Sequence, residues 1–316
     1  MKYFIKKLVT LIITLLLISL LTFTAFSVIP GDAALARLGD DATEEQIEAF
    51  REEMGLNDPL PVRYVDWLSE AVRGDFGASY YYDNMTVGEL LSDRLPVTVM
   101  LAVISLLMIL ICSVPLGLLC ARGAGGVLDH AVNQILQTVM AVPSFFLGIL
   151  LTYAFGLVLH WFQPGQFVEP SESFFGAASY LVFPALAVAL PKIAMVVKFL
   201  RNAVLSELSK DYVRTAKSRG NSSRRILYVH VLKNAMIPVI TFTAMVVAEI
   251  LAGSIIVEQV FSVPGVGRLL ISSIFNRDYP VIQTYVLLIG VLFVGFNLLF
   301  DILQTISDPR MRKEGA

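Results

Sequence analysis

The sequence predicts an all-α membrane protein with six transmembrane helices, and three observations carry that class. Of 316 residues, 56% are hydrophobic and 16% charged, where a soluble domain is about a quarter charged; mean hydropathy is +0.71. The apolar residues gather into six long runs, residues 8–29, 97–120, 131–159, 180–200, 235–257 and 281–306. Each can cross about 30 Å of hydrocarbon, which needs ~20 helical residues. Lys and Arg, finally, collect in alternate connecting segments, as they do when basic loops are retained on one side of a membrane. The net charge of −2 carries no information about partners, whereas its distribution does. Cys112 and Cys120 both lie in one apolar run, so they read as buried thiols and no disulfide framework is expected.

The expected organisation is a first span over 1–29, an outer helical module over 30–96, a five-helix core over 97–306 and a tail over 307–316. Lys2, Lys6 and Lys7 precede the first span and place the N-terminus inside. Alternation then puts 30–96, 160–179 and 261–280 outside, and 121–130, 201–234 and the tail with Arg310, Arg312 and Lys313 inside. The first apolar run exceeds the core of a cleaved signal peptide, so it is read as an uncleaved span.

In the outer module, Thr43 and Gln46 have the spacing of a capping box. Ile47, Phe50 and Met54 give that helix an apolar face, and Gly55 can supply its left-handed stop. Pro59 is expected at the first position of a second helix, with Tyr64, Trp67, Leu68 and Ala71 as its apolar face and Gly74 as its end. The pair of helices reads equally as cover or as part of a seat for a soluble partner. Tyr80, Tyr81 and Tyr82 read as an interfacial aromatic belt. The third run holds Pro143 and is expected to tilt or kink there; Pro115, Pro184 and Pro191 interrupt other spans, which neighbouring helices can accommodate. Residues 121–130 form a glycine-rich turn, and 161–179 carry no pattern.

Segment 201–238 is strongly basic between two apolar runs. Counted from Lys192 to Lys233, Lys192, Lys198, Arg201, Lys210, Arg214, Lys217, Arg219, Arg224, Arg225 and Lys233 stand against only Glu207 and Asp211. Val204, Leu208, Tyr212 and Ala216 recur every fourth residue, which predicts one helix to Gly220 with a single apolar face. Gly220 stops it, Asn221 and Ser222–Ser223 turn the chain, and a second helix starts near Arg224. Such a helix–glycine–helix hairpin suits a protein groove, and a polybasic loop equally suits anionic lipid. Glu249 and Glu258 in or near the fifth span are costly in hydrocarbon. They either line a path or pair internally with Lys192 or Lys198. In 261–280, Pro264 and Gly265 make a turn, and Leu269, Leu270, Ile274 and Phe275 give a short outer helix that could cap a pore mouth.

Several stretches in one order resemble a known family. They are DYVRTAKSRG (211–220), HVLKNAMIPVI (230–240), VEQVFSVPGVGRLL (257–270), NRDYPVIQ (276–283) and DPRMR (308–312). IPGD, ATEEQIEAFREEMGLNDPLPVRYVDWL and GDFGASY agree in the N-terminal part. Together they are similar to the permease subunits of ABC importers for dipeptides, oligopeptides and nickel.

The resemblance implies the type I importer permease fold, with a cytoplasmic coupling helix docked in a cleft of an ATP-binding subunit. Tyr212, Arg214, Thr215, Ala216, Lys217 and Gly220 would form that coupling loop, and Pro264, Gly265 and Gly267 would belong to the outer loop. Arg214 stands where the general pattern has an acidic residue and Lys233 where it has a proline, as in the peptide and nickel branch. The implied partners are a second homologous permease in a heterodimer, two ATP-binding subunits, an extracytoplasmic substrate-binding protein and the bilayer, with no nucleic acid. The implied setting is a bacterial or archaeal plasma membrane with both termini cytoplasmic. The chain has no GxxxxGK[ST] run, so no cofactor is expected on it, and ATP with Mg would bind the partner subunits. His130, His160 and His230 fall on different faces and are not expected to hold a metal. Di- or oligopeptides are the expected cargo and a nickel chelate the alternative. An ion-coupled secondary transporter, with Glu249 as relay, and a non-transporting membrane receptor are the readings from other classes.

Overall fold

The computed structural model describes residues 2–28, 33–39, 42–53, 55–83 and 85–307. The IPGD and DPRMR stretches, Met54 and the basic tail lie outside them. Among the described residues every regular element is a helix, with one isolated bridge between Ala78 and Thr86. The chain divides into two compact units, Met1–Thr98 with Pro264–Val294, and Val99–Val263 with Gly295–Ala316.

The first unit begins with α1 (Lys2–Val28) and the short α2 (Ala33–Leu38). Helix α3 (Glu44–Glu53) starts at the expected capping box. The Gln46 amide donates to Thr43 Oγ1 at 3.3 Å and the Thr43 amide donates to Gln46 Oε1 at 3.0 Å. Gly55 follows with φ +60. Helix α4 (Leu60–Val72) has Pro59 as its N-cap (φ −57, ψ 137) rather than at the first helical position, and Gly74 (φ +87) lies just beyond its end. α4 packs on α1 through a ring cluster, with Phe23 5.5 Å from Tyr64 and 5.9 Å from Trp67, and Ser19 bonds the Tyr64 hydroxyl at 2.9 Å. Tyr80 departs from the belt reading: its ring meets Phe50 edge-on at 6.1 Å, and burial pushes its hydroxyl up to about 12. Helix α5 (Val87–Arg122) opens on a second capping box that the sequence reading passed over, with Thr86 and Glu89 exchanging bonds of 2.9 and 3.2 Å. Helix α12 (Val266–Phe275) is seated by the Val266 amide donating to Thr98 Oγ1 at 2.9 Å. Helix α13 (Tyr279–Ser307) brings Gly290 against Ile18 and Leu15 of α1.

The second unit is organised around α8 (Phe174–Leu208), which packs on α6 (Val127–Ala141), α7 (Ser144–Leu151) and α11 (Leu232–Val260). Pro184 and Pro191 sit inside α8 without ending it. At Pro143 the third span does break. Val142 is extended (φ −90, ψ 124), as steric conflict with a following proline ring requires, and α6 and α7 meet at 98°. Among the described residues, the helices long and apolar enough to cross a membrane therefore number five, or six with this bent pair taken as one. Gly148 in α7 admits the ring of Phe261, which would stand 3.1 Å from a β-carbon there. Residues 161–173, silent in the sequence, cover α8 with rings. Phe162 stacks on Phe183 at 4.8 Å, and Tyr180 donates to the Phe261 carbonyl at 2.6 Å.

Candidate functional site

The basic segment begins as the last turns of α8. Val204 there is fully buried. The single helix expected to run to Gly220 is interrupted: α8 stops at Leu208, Lys210 is extended (φ −77, ψ 153), and α9 (Asp211–Ser218) is a separate helix. Glu207 reaches across the break. Its carboxylate accepts from Tyr212 Oη at 2.8 Å and pairs with Lys210. Burial, with Glu207 next to it, holds the Tyr212 hydroxyl above its ordinary value, opposed by a bond to Asn234. The buried residue of α9 is Val213, outside the expected four-residue period.

Arg214, Thr215, Lys217 and Gly220 are exposed, and Tyr212 and Ala216 half-buried. Arg214 reaches Asp211 at 3.6 Å with both side chains in solvent, a pair that contributes little. The Ala216 carbonyl accepts from the Asn221 amide at 3.3 Å and its side chain at 3.0 Å, which closes the helix. Gly220 has φ +80, and a β-carbon there would meet nothing within 4 Å. Glycine is therefore required by backbone conformation, not by crowding within this chain. Ser222 caps the next turn, accepting from the Arg225 amide at 3.4 Å, and a π-helical segment (Ile226–Val231) leads into α11.

A clasp that sequence reasoning missed holds the base of this hairpin. Arg201 of α8 donates Nε to Asp129 Oδ1 at 2.7 Å and Nη2 to Oδ2 at 2.6 Å. Asp129, at the start of α6, is buried, and also accepts from the Gly125 amide (2.9 Å) and Asn133 Nδ2 (2.8 Å). The one available signal was an acid following a glycine-rich turn.

Of the two span carboxylates, Glu249 pairs with Lys192 of α8 and not with Lys198. Its side chain is nevertheless 48% exposed. Glu258 is fully buried. Pro264, Gly265 and Gly267 are half-buried to buried, so it is the C-terminal half of α12, ending in exposed Ile274 and Phe275, that presents a surface. In the first unit, buried Asp278 accepts from the Tyr80 amide at 3.0 Å and from the Ser79 hydroxyl. This pins the GDFGASY stretch to the start of α13. Beside it lies a cavity of about 670 Å³, with Arg51, Arg63, Asp66, Trp67, Tyr80 and Tyr279 on its wall.

Known proteins agree with this architecture. Residues 113–313 match the family of binding-protein-dependent transport system inner membrane components, and residues 1–102 match the N-terminal part of such membrane components. A probable peptide ABC transporter permease protein of Sinorhizobium fredii is 37% identical over 310 residues, 98% of this chain and 99% of that one. An oligopeptide transport system permease protein of Bacillus subtilis is 35% identical over 311 residues, 98% of each. The chain therefore belongs to the binding-protein-dependent transport system inner membrane components: it is a multi-pass permease subunit of an ABC importer, with the type I fold, and not an enzyme.

Proposed function

We propose that this permease conducts di- or oligopeptides delivered by an extracytoplasmic binding protein, and that α9 with Gly220 is the element through which ATP-binding partners drive it. Membership of the family implies ATPase and substrate-binding partners in general. The peptide reading is supported by the names of the relatives, which favour it over a nickel chelate. The observation that carries the coupling reading is the exposed basic face of α9, cantilevered beyond α8 on the Glu207 bridge.

In this reading the hairpin and both termini are cytoplasmic, and ATP with Mg binds two partner subunits. Their closure displaces α9. The Glu207–Tyr212 and Arg201–Asp129 links pass that displacement to α8 and α6, and the π-helical segment passes it to α11. A two-state pore can be biased in this way because the contact depends on nucleotide. A second homologous permease completes the route, as a heterodimer. The outer module and α12 receive the binding protein, with the cavity beside Trp67 as part of its seat.

The test is peptide uptake by the complete transporter in proteoliposomes, with Gly220→Trp compared with wild type. The variant is expected to insert and assemble while ATP-driven uptake falls at least about tenfold, since a bulky residue here strains the turn and obstructs a closely docked partner. Uptake at the wild-type rate refutes the docking role. Uptake that survives ATP depletion but collapses with an ion gradient would replace the whole reading with secondary transport.

A further inference from the structure

The ion pair between Lys192 and Glu249 has a setting that simple helix packing does not explain. Lys192 lies near the middle of α8, roughly 25 Å from either end. Its partner comes from 57 residues away on the antiparallel α11. The two side chains are 20% and 48% exposed. A half-exposed charge at mid-span is too costly to face lipid, so this face of α8 and α11 is turned toward water or protein.

The same face continues along both helices. Seven residues on, about two turns, Phe199 of α8 stacks on Phe242 of α11 at 4.4 Å with ring planes 7° apart. Between the two pairs stand Met245, 59% exposed, and half-buried Met195. Ring faces and thioethers are adaptable surfaces that accept apolar side chains of many shapes. Charges of both signs, set among them, form a surface that is neutral overall and can meet either charge on a passing molecule.

We infer that Lys192 and Glu249 line the translocation route and select cargo by charge, each meeting side chains of opposite sign on the passing peptide. The inference rests on the peptide reading above and adds to it the residues that discriminate. Each member of the pair offsets the other, so acidic and basic peptides are both admitted. Removing one leaves a lone charge that attracts one class and repels the other.

The experiment measures ATP-dependent uptake of three tripeptides by the complete transporter in proteoliposomes: one flanked by lysines, one flanked by glutamates and one uncharged. The quantity read is the ratio of lysine-peptide to glutamate-peptide uptake relative to wild type, in which the preference of the shared binding protein cancels. Lys192→Met is expected to raise this ratio at least about fivefold and Glu249→Gln to lower it by a similar factor, the effect of one screened charge at close range. Loss of both charged peptides to the same extent overturns the inference, because it marks the pair as a packing clasp or as a contact with the second permease chain. Should the single variants fail to insert, the neutral double variant Lys192→Gln/Glu249→Gln is read instead. It is expected to carry the uncharged peptide normally and both charged peptides at least about threefold more slowly relative to it; unchanged relative rates overturn the inference. A wild-type assembly that moves none of the three overturns the peptide reading and this one with it.

Discussion

Replacing Asp278 with Ala should release the stretch around Tyr80 without disturbing the spans. The carboxylate is fully buried and accepts from the Ser79 hydroxyl and the Tyr80 amide. Ser79 is itself buried, so the substitution leaves two donors without an acceptor. Each costs about 1–3 kcal/mol, giving roughly 3 kcal/mol in favour of local opening, or about a hundredfold in its equilibrium. Hydrogen exchange of residues 76–82 in detergent-solubilised protein measures this directly. Protection within about threefold of wild type would refute the reasoning.

The same group predicts a pH dependence. Burial raises the Asp278 carboxyl above its ordinary value, and the bonds from Ser79 and the Tyr80 amide only partly oppose that. A carboxyl raised by folding binds its proton more tightly in the native state. Its contribution is therefore fully present below the ordinary carboxylate range and is lost as pH rises through the raised value. Protection of 76–82, corrected for intrinsic exchange, should fall over that window. It should stay flat in Asp278→Asn, which cannot ionise.

Two further changes test the second unit. Gly117 lies where a β-carbon would stand 2.9 Å from Leu200 Cδ2, and Leu200 is fully buried. Gly117→Val should therefore overpack α5 against α8, cost about 1–3 kcal/mol and lower Tm in detergent; an unchanged Tm means Leu200 has room to move. Arg201→Lys keeps the charge but loses the two-pronged geometry on Asp129. Peptide taken up per ATP hydrolysed should fall at least about threefold, and an unchanged ratio would show that the clasp does not transmit motion.

Whatever depends on a few neighbouring residues was legible in the chain. Hydropathy placed the helices because a span is a property of its own twenty residues. The caps at Thr43 and Ser222, the left-handed glycines 55, 74 and 220, and the break at Pro143 were each written in one turn's worth of sequence. The size of that break, 98°, was not, because a proline frees a helix to bend and its neighbours set the angle. Nor was the end of α8 at Leu208: the four-residue period ran on unbroken, whereas the chain breaks before a separate helix that buries Val213 rather than Tyr212 or Ala216.

The sequence by itself determined that this chain is helical and spans a membrane, and that its basic hairpin turns at Gly220, because periodicity, charge placement and backbone freedom act over short distances. Tertiary structure alone decided which charges meet. Asp129 finds Arg201 across 72 residues and Asp278 finds Ser79 across 199. Glu249 takes Lys192 over Lys198 because the antiparallel register of α8 and α11 brings only the former within reach. That register is set by how whole helix faces interlock, a sum over many side chains that no local window contains.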